Sequence, residues 1–132
     1  MEVKQWKRRK FIPTWGGNDK ESEPCEVNFK PPSVGWMAKW RELAMRSPDL
    51  SADSLADPDH AETVTRWTGE VSEFRNALIS DLIISIDNLT REGEPIPLIE
   101  AVGFVLDNEG LREEVFLAVI ESGTLKSSGG KR

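Results

Sequence analysis

Two residue types on which many functional sites depend are almost absent from this sequence. It holds one cysteine, Cys25, and one histidine, His60, among its 132 residues. A single cysteine cannot form an internal disulfide, and the pair cannot supply the ligands of a zinc site or a redundant Ser-His-Asp arrangement. We therefore expect both residues to be structurally ordinary, with no catalytic residue, no metal ion and no cofactor. Such cysteine usage is typical of an intracellular protein.

Long apolar runs are also missing. None approaches the roughly 18–20 residues that a membrane-spanning helix requires. The basic start MEVKQWKRRK is not followed by the apolar core of a secretory signal, so we expect neither a signal peptide nor a membrane partner. Hydrophobic residues make up 38% and charged residues 30% of the chain, which predicts a single soluble domain with a modest core and flexible segments.

The charge is divided unevenly along the chain. Residues 1–47 hold ten basic and six acidic residues, a net charge of +4, whereas residues 48–132 hold seven and seventeen, a net charge of −10. We therefore expect a cationic N-terminal part and an anionic helical part. These parts could meet within one chain or between two subunits.

The first 32 residues are predicted to form an extended arm. A proline interrupts FIPTW, and WGGND has the composition of a turn. The stretch CEVNFK (25–30) alternates, with Val27 and Phe29 on one side and polar residues, including Asn28, on the other, which predicts a short half-buried strand. The arm should therefore carry one or two short strands.

A first helix is predicted over residues 33–46, with Ser33 as its cap. Its apolar residues fall on one face at helical spacing: Trp36, Trp40, Leu43 and Ala44. The following stretch, 47–60, is rich in Asp and Pro and reads as a loop with one short helical turn.

The strongest periodic signal lies between residues 61 and 90. Apolar residues three or four positions apart form a stripe along about six turns of helix: Val64, Trp67, Val71, Phe74, Leu78 and Leu82. The β-branched run LIISI (82–86) could form a strand in isolation, but its continuity with the stripe favours helix. Such a stripe could seat a helix of a partner protein.

Two further helices are predicted after the break REGEPIP. Pro97 opens the first and Asn108 can cap the second. Gly123 suits the position that ends the second helix, and the polar residues 124–132 are expected to be disordered. The fold class is therefore mainly α: a compact bundle of about four to five helices (33–123) with an extended N-terminal arm (1–32) that carries one or two short strands.

The run KRRK offers four charges for phosphate contacts: Lys7, Arg8, Arg9 and Lys10. Trp6 and Trp15 could stack on bases beside it. Against this interpretation, the isoelectric point is near 4.9, and no recognition helix or basic helical face follows. We therefore expect nucleic acid not to be the partner.

Two other short motifs resemble ligand loops. WGGN lacks the strand-then-helix context of a phosphate loop. DNEG (107–110) lacks the alternating acidic residues and the distal glutamate of a calcium loop, and it is interpreted as a turn between helices.

Aromatic residues are concentrated near the N-terminus. Six of the ten lie within the first forty positions: Trp6, Phe11, Trp15, Phe29, Trp36 and Trp40. They can pack on the helices as core, or remain available as anchors of an interface, where Trp and Arg are favoured. Both interpretations can hold in part.

Three segments together match a known pattern: FIPTWGGN (11–18), PCEVNFKPPSVGW (24–36), and GLREEVFLAVIESGTL (110–125) before a polar tail. In this arrangement the sequence resembles the small tail assembly chaperones of long-tailed bacteriophages. The resemblance implies a short extended segment before an all-helical body. It carries over no catalytic motif.

The resemblance also implies a function. Such proteins are ATP-independent chaperones that coat the tape-measure protein before the tail tube polymerises around it, and they recruit tail-tube subunits. They act in the cytoplasm of the host bacterial cell and are absent from the mature virion. Many have a longer form made by a frameshift at codons for Gly-Lys, a pair that Gly130 and Lys131 supply here.

We predict that Trp15, Trp36 and Trp40 anchor the partner, and that Lys7, Arg8, Arg9 and Lys10 are the docking charges. We also expect self-association that weakens with salt, because these charges are exposed. Two alternatives stay open: a small nucleic-acid-associated or regulatory protein that uses the basic arm, and a structural head-tail connector subunit of the virion.

Overall fold

The computed structural model describes the backbone of residues 7–129 and the side chains of residues 7–124. Within that part, five α-helices follow in order: α1 (Val34–Met45), α2 (Ala52–Leu55), α3 (Pro58–Leu82), α4 (Leu98–Asp107) and α5 (Glu109–Gly129). Five short strands accompany them: β1 (Arg9–Phe11), β2 (Glu26–Phe29), β3 (Ile83–Asp87), β4 (Thr90–Arg91) and β5 (Glu94–Pro95). A 3-10 segment, Trp15–Lys20, lies between β1 and β2. The described chain is mainly helical with short strands in its N-terminal part, as the sequence predicted.

The first three strands form an antiparallel sheet with β2 in the middle. Val27 and Phe29 of β2 are buried in the main core, so the strand predicted at 25–30 is confirmed. Asn28, expected on the polar side, is also buried. Its side-chain amide donates a hydrogen bond of 2.9 Å to the carboxylate of Asp87 on β3, which satisfies the buried polar group.

Helix α1 confirms the predicted helix and its cap. The hydroxyl of Ser33 accepts a hydrogen bond of 3.1 Å from the backbone N–H of Trp36. The inner face differs by part of a turn from the predicted one, because Met37 and Leu43 are buried whereas Ala44 is exposed.

Helix α3 places the predicted apolar stripe in the core. Asp57 caps its N-terminus and Pro58 occupies its first turn. Val71, Leu78 and Leu82 are buried, and both α1 and α5 pack against this helix. The hypothesis that the stripe seats a partner helix is therefore wrong over this half of α3, because helices of the same chain already cover it.

The helix predicted through residues 82–86 is wrong beyond Leu82. From Ile83 the chain forms β3, in which Ile86 lies opposite Val27 of β2. The carbonyl of Leu82 also accepts the backbone N–H of Lys30. β-Branched residues suit a pleated strand, and this pairing satisfies backbone groups of β2 that would otherwise be buried without partners.

The break after β3 folds as a hairpin of β4 and β5. At its turn, Glu92 has φ +53° and Gly93 has φ +82°. Two successive residues with positive φ are the signature of the tight turn that matches the twist of paired strands. The hairpin leads directly into α4.

The junction between α4 and α5 differs from its predicted capping. Asn108, predicted to cap α5, donates its side-chain amide to the carbonyl of Phe104 over 2.7 Å, so it closes the end of α4 instead. The two helices pack against each other.

Gly123 does not end the last helix, so that prediction is wrong. It lies inside α5, which continues through Gly129, and residues 130–132 lie outside the described residues. A Cβ atom at position 123 would come within 2.8 Å of the Met37 sulfur and 2.9 Å of the Pro32 ring. Glycine is therefore required by the close approach of α5 to the start of α1.

An aromatic cluster joins α1, α3 and α5. The ring of Phe116 is buried and meets Trp40 edge-on, with 5.1 Å between ring centroids. Phe74 lies 6.3 Å away from the same ring, and the Arg75 guanidinium carbon lies 5.0 Å from its centroid. These contacts combine area burial with favourable ring geometry.

Substituting two of the helical glycines, Gly123 and Gly103, distinguishes the effect of close packing from that of helix propensity. Gly123→Ala should lower the free energy of unfolding by about 1–3 kcal/mol, because Pro32 cannot give way without shifting backbone. Gly103→Ala on α4, where no heavy atom lies within 4 Å of the added Cβ, should instead raise stability by about 0.5–1 kcal/mol. Urea unfolding followed by circular dichroism measures both, and a Gly123→Ala variant as stable as the wild type would contradict the packing.

Candidate protein-binding surface

The predicted docking charges lie along the outer strand of the sheet. Lys7 and Arg8 are exposed and precede β1, which contains Arg9 and Lys10. Lys10 lies 3.8 Å from a carboxylate oxygen of Glu26 on β2. The other three cations make no ion pair with any residue that the structure describes, so they are available to an external anionic partner.

Two of the predicted anchors, Trp36 and Trp40, lie on α1 and pack within the chain. The Trp36 ring meets Phe74 edge-on at 5.6 Å, and its indole N–H donates to Asp81 over 3.1 Å. Trp40 stacks on Phe74 at 5.6 Å. Both side chains are half-buried, so each keeps one exposed edge. Their role in partner binding stays a prediction.

The third predicted anchor, Trp15, lies elsewhere, at the corner between α4 and α5. Its ring meets Phe104 edge-on with 5.7 Å between centroids. It also lies so close to Gly110 that an added Cβ there would be 3.1 Å from Trp15 Cδ1. The indole remains 39% exposed. Trp15 is therefore held by the fold while presenting a large aromatic surface.

Two hydrogen bonds fix this segment to the last helix. The backbone N–H and the side-chain hydroxyl of Thr14 both donate to Oε1 of Glu114, each over 2.8 Å. Because the acceptor is a carboxylate, these hydrogen bonds are stronger than those between two neutral groups. They position Trp15 against the start of α5.

Asn18 closes the loop that follows Trp15. Its side-chain amide donates to the carbonyls of Pro13 and Cys25, and its oxygen accepts the backbone N–H of Cys25 over 2.7 Å. Gly16 and Gly17 adopt φ of +63° and +78°, a region that favours glycine, which allows the chain to turn toward Asn18. The segment WGGN is therefore a structural turn that shapes a loop.

A cavity lies under this loop. Its volume is about 150 Å³ and it is partly open to solvent. We call it the Trp15 pocket, and its walls are Pro13, Trp15, Gly16, Asn18, Glu21, Cys25, Val27, Ile86, Leu89, Phe104, Val105 and Leu111. Most of these side chains are apolar, one is acidic and none is basic. A space of this size accommodates a single aromatic or aliphatic side chain.

The thiol of Cys25 is part of the pocket wall. Burial raises the pKa of this thiol, and the negative charges of Asp87 and Glu21 raise it further. A raised pKa keeps the thiol protonated and unreactive near neutral pH. The carboxylates of Asp87 and Glu21 therefore lie near the thiol, so the surroundings of the pocket are acidic.

A second exposed apolar surface lies on α4. Its residues LIEAVGFVLD are apolar except for Glu100 and Asp107, which lie seven residues apart on one side of the helix, and only Ala101 and Val105 are buried. Ile99 is 84% exposed, and Leu98 and Phe104 are 44% and 37% exposed. The sequence predicted the helix but not this surface. The available signal was that apolar residues cover more of the helix than one buried face requires.

The only histidine lies in a small polar cluster near α2. His60 Nε2 lies 2.6 Å from the backbone carbonyl of Asp49. The Asp49 carboxylate accepts the hydroxyl of Ser54 and the backbone N–H of Ser51, and these hydrogen bonds hold its pKa below the usual range. The acid therefore fixes the turn before α3, and His60 is bonded to backbone rather than to a serine.

Within residues 7–129, no three side chains of the His, Cys, Asp or Glu type lie together as metal ligands. None of the helices in this range is long and apolar enough to cross a membrane.

No family model, no curated protein and no solved structure matches this chain.

The surroundings of Cys25 predict slow alkylation in the folded chain. Because its pKa is raised, the reactive thiolate should form only at a higher pH than in the urea-unfolded chain. Trp15→Ala opens the pocket and should speed labelling by iodoacetamide about threefold or more. Trp36→Ala removes an equal ring from α1 and should leave the rate unchanged. Mass spectrometry over time measures the rates, and identical rates in folded and unfolded wild type would argue against a shielded thiol.

Proposed function

We propose that this chain is a non-catalytic tail assembly chaperone of a long-tailed bacteriophage. It binds the tape-measure protein, tail-tube subunits and further copies of itself while the tail is assembled. The helices act as a compact bundle and the N-terminal segment as its arm. The protein works in the cytoplasm of the host bacterial cell and is left out of the mature virion. The sequence resemblance supplies this biological setting, and the surfaces described above support the protein-binding part.

The outer face of α4 is the observation that carries the proposal. Ile99 is 84% exposed on a helix whose opposite side is fully packed into the core. Burying an exposed isoleucine stabilises a complex by roughly 1.5–3 kcal/mol. A chaperone needs such an apolar surface in order to compete with the self-aggregation of its client.

A long helical client fits this face. Ile99 and Gly103 are four residues apart, so they lie one turn apart on the same side of α4. No heavy atom of the described chain lies within 4 Å of a Cβ added to Gly103, which leaves room for a second helix. An amphipathic helix can pack its apolar stripe there at an interaxial distance of about 8–10 Å.

The borders of this face favour a client with basic flanks. Glu100 and Asp107 lie on the same helix and are exposed. Glu100 is 3.1 Å from Arg91, whereas Asp107 makes no ion pair within the described part of the chain. Rim charges of this kind contribute more to the rate and selectivity of association than to affinity.

Replacing Ile99 tests the client-binding face. In co-expression with a tape-measure fragment, wild-type chain should keep the fragment soluble, and Ile99→Asp should weaken binding about tenfold or more by placing a charge in the interface. The matched control is Val34→Asp, because Val34 is 85% exposed and begins α1, where an acidic residue is favourable. Binding is measured by pull-down and calorimetry. Equal loss in both variants, or none in either, would contradict the assignment of this face.

Replacing the basic run with alanine distinguishes the chaperone hypothesis from the nucleic-acid-binding alternative. A variant with alanine at Lys7, Arg8, Arg9 and Lys10 should self-associate less than wild type at low salt, because the lost charges steer association. In a gel shift with generic DNA, neither protein should show specific binding. A DNA complex that the wild type forms and the variant loses would favour the nucleic-acid alternative, and recovery of the chain from purified virions would favour the connector alternative.

A further inference from the structure

The Trp15 pocket has the volume of a side chain and is not filled by any residue that the structure describes. Its cavity of about 150 Å³ is partly open to solvent and is lined by Trp15 and Phe104, which are 39% and 37% exposed. The loop that forms its outer wall is held in place by Asn18 and by the bonds from Thr14 to Glu114. A preformed pocket costs little conformational entropy on binding.

The charges around the pocket determine which residues are favoured on either side of a side chain that binds in it. Glu21 lines the opening, is exposed, and makes no ion pair within residues 7–124. Asp87 acts electrostatically on the Cys25 thiol in the pocket wall. No basic residue lines the cavity. The preferred occupant is therefore an aromatic or aliphatic side chain with lysine or arginine beside it.

The chain contains one segment with this chemistry. VKQWKR (3–8) places Trp6 between Lys4 on one side and Lys7 and Arg8 on the other. Lys7 and Arg8 are exposed, without an ion pair in the described part of the chain, and residues 1–6 lie outside the described residues. The proposed ligand is thus an aromatic anchor flanked by cations, of which Lys7 and Arg8 make no ion pair in the described part of the chain.

The direction of β1 places its first residue farther from the pocket of the same chain than its last residue. Phe11 lies opposite Val27, which lines the pocket, whereas Arg9 lies opposite Phe29, about 7 Å further along the strand. The Arg9 end of β1 is therefore the end farther from that pocket. Binding within one chain would require the segment to reverse within the few residues between Arg9 and Trp6.

We infer that residues 3–8 of one copy bind the Trp15 pocket of a second copy. Trp6 enters the cavity, while Lys7 and Arg8 lie opposite Glu21 and Asp87. This contact joins two different surfaces of the same protein, as in a heterologous interface. The inference rests on the self-association part of the proposed function and names the surfaces that form it.

Charge reversal on both sides tests the contact in the full-length chain. Lys7→Glu and Glu21→Lys should each weaken self-association about three- to tenfold. The double variant that combines them should return to within about twofold of wild type, because each side again carries one reversed charge facing its opposite while Arg8 and Asp87 are unchanged. Trp6→Ala should weaken self-association about tenfold or more. Sedimentation at low salt measures the constants.

Two matched controls and one local probe complete the test. Arg41→Glu and Glu73→Lys reverse exposed charges elsewhere and should leave association unchanged. Labelling of Cys25 by iodoacetamide should slow as wild-type protein is concentrated, and it should not slow for Trp6→Ala.

Several outcomes would overturn the contact without touching the client-binding face. They are a double variant that associates no better than its parents, self-association that does not change in Trp6→Ala, or Cys25 protection that is independent of concentration, which would place the segment in its own pocket. A chain that stays monomeric would overturn the contact and self-association together. Loss of tape-measure binding with these results intact would overturn only the chaperone function.

Discussion

The pairing of β2 with a strand on each side is the interaction on which the rest of this structure depends. β2 brings Val27 and Phe29 into the core, but a strand buried in this way needs partners for its backbone groups on both edges. β1 supplies one edge and β3 the other. Formation of β3 ends α3 at Leu82, and the position of β1 directs the following loop to the corner between α4 and α5. The helix boundary and the Trp15 pocket both follow from this sheet.

Local signals in the sequence were sufficient to predict most of the helices. Ser33 and Asp57 have the chemistry of caps, and the spacing of Val71, Leu78 and Leu82 requires one apolar helix face. The local sequence of Ile83–Asp87 is compatible with both strand and helix, and the choice of strand depends on hydrogen bonds to β2 residues more than fifty positions earlier, which a local pattern does not reveal. The prediction that Gly123 ends α5 failed for the same reason, because glycine is needed there for a contact with the distant residue Met37 and not for a helix end.

The candidate site likewise has a part that the local sequence predicted and a part that depends on distant contacts. Residue type alone singled out Trp15, Trp36 and Trp40, but the surroundings that distinguish them come from distant helices: Phe104 for Trp15, and Phe74 for the other two. The exposed face of α4 was missed because the apolar side of an amphipathic helix is normally taken to be buried, and in α4 that side extends beyond the part that the core covers. Exposure of Ile99 becomes visible only when the neighbours of the helix are known.

The surfaces proposed for client binding and for self-association differ in character. The face of α4 around Ile99 is exposed and largely apolar, which suits a partner helix, whereas the Trp15 pocket is small and has acidic surroundings, which suits one defined side chain. The two surfaces meet at Phe104, which is exposed on α4 and also lines the pocket.

The bond from Thr14 to Glu114 spans 100 residues of sequence, which has a consequence for synthesis of the chain on the ribosome. At roughly 5–20 residues per second, Trp15 waits on the order of 5–20 s for the start of α5 to be made. Until then the outer wall of the Trp15 pocket has nothing to dock against. The Trp15 pocket is therefore complete only after the start of α5 has been synthesised, long after the N-terminal segment of the same chain.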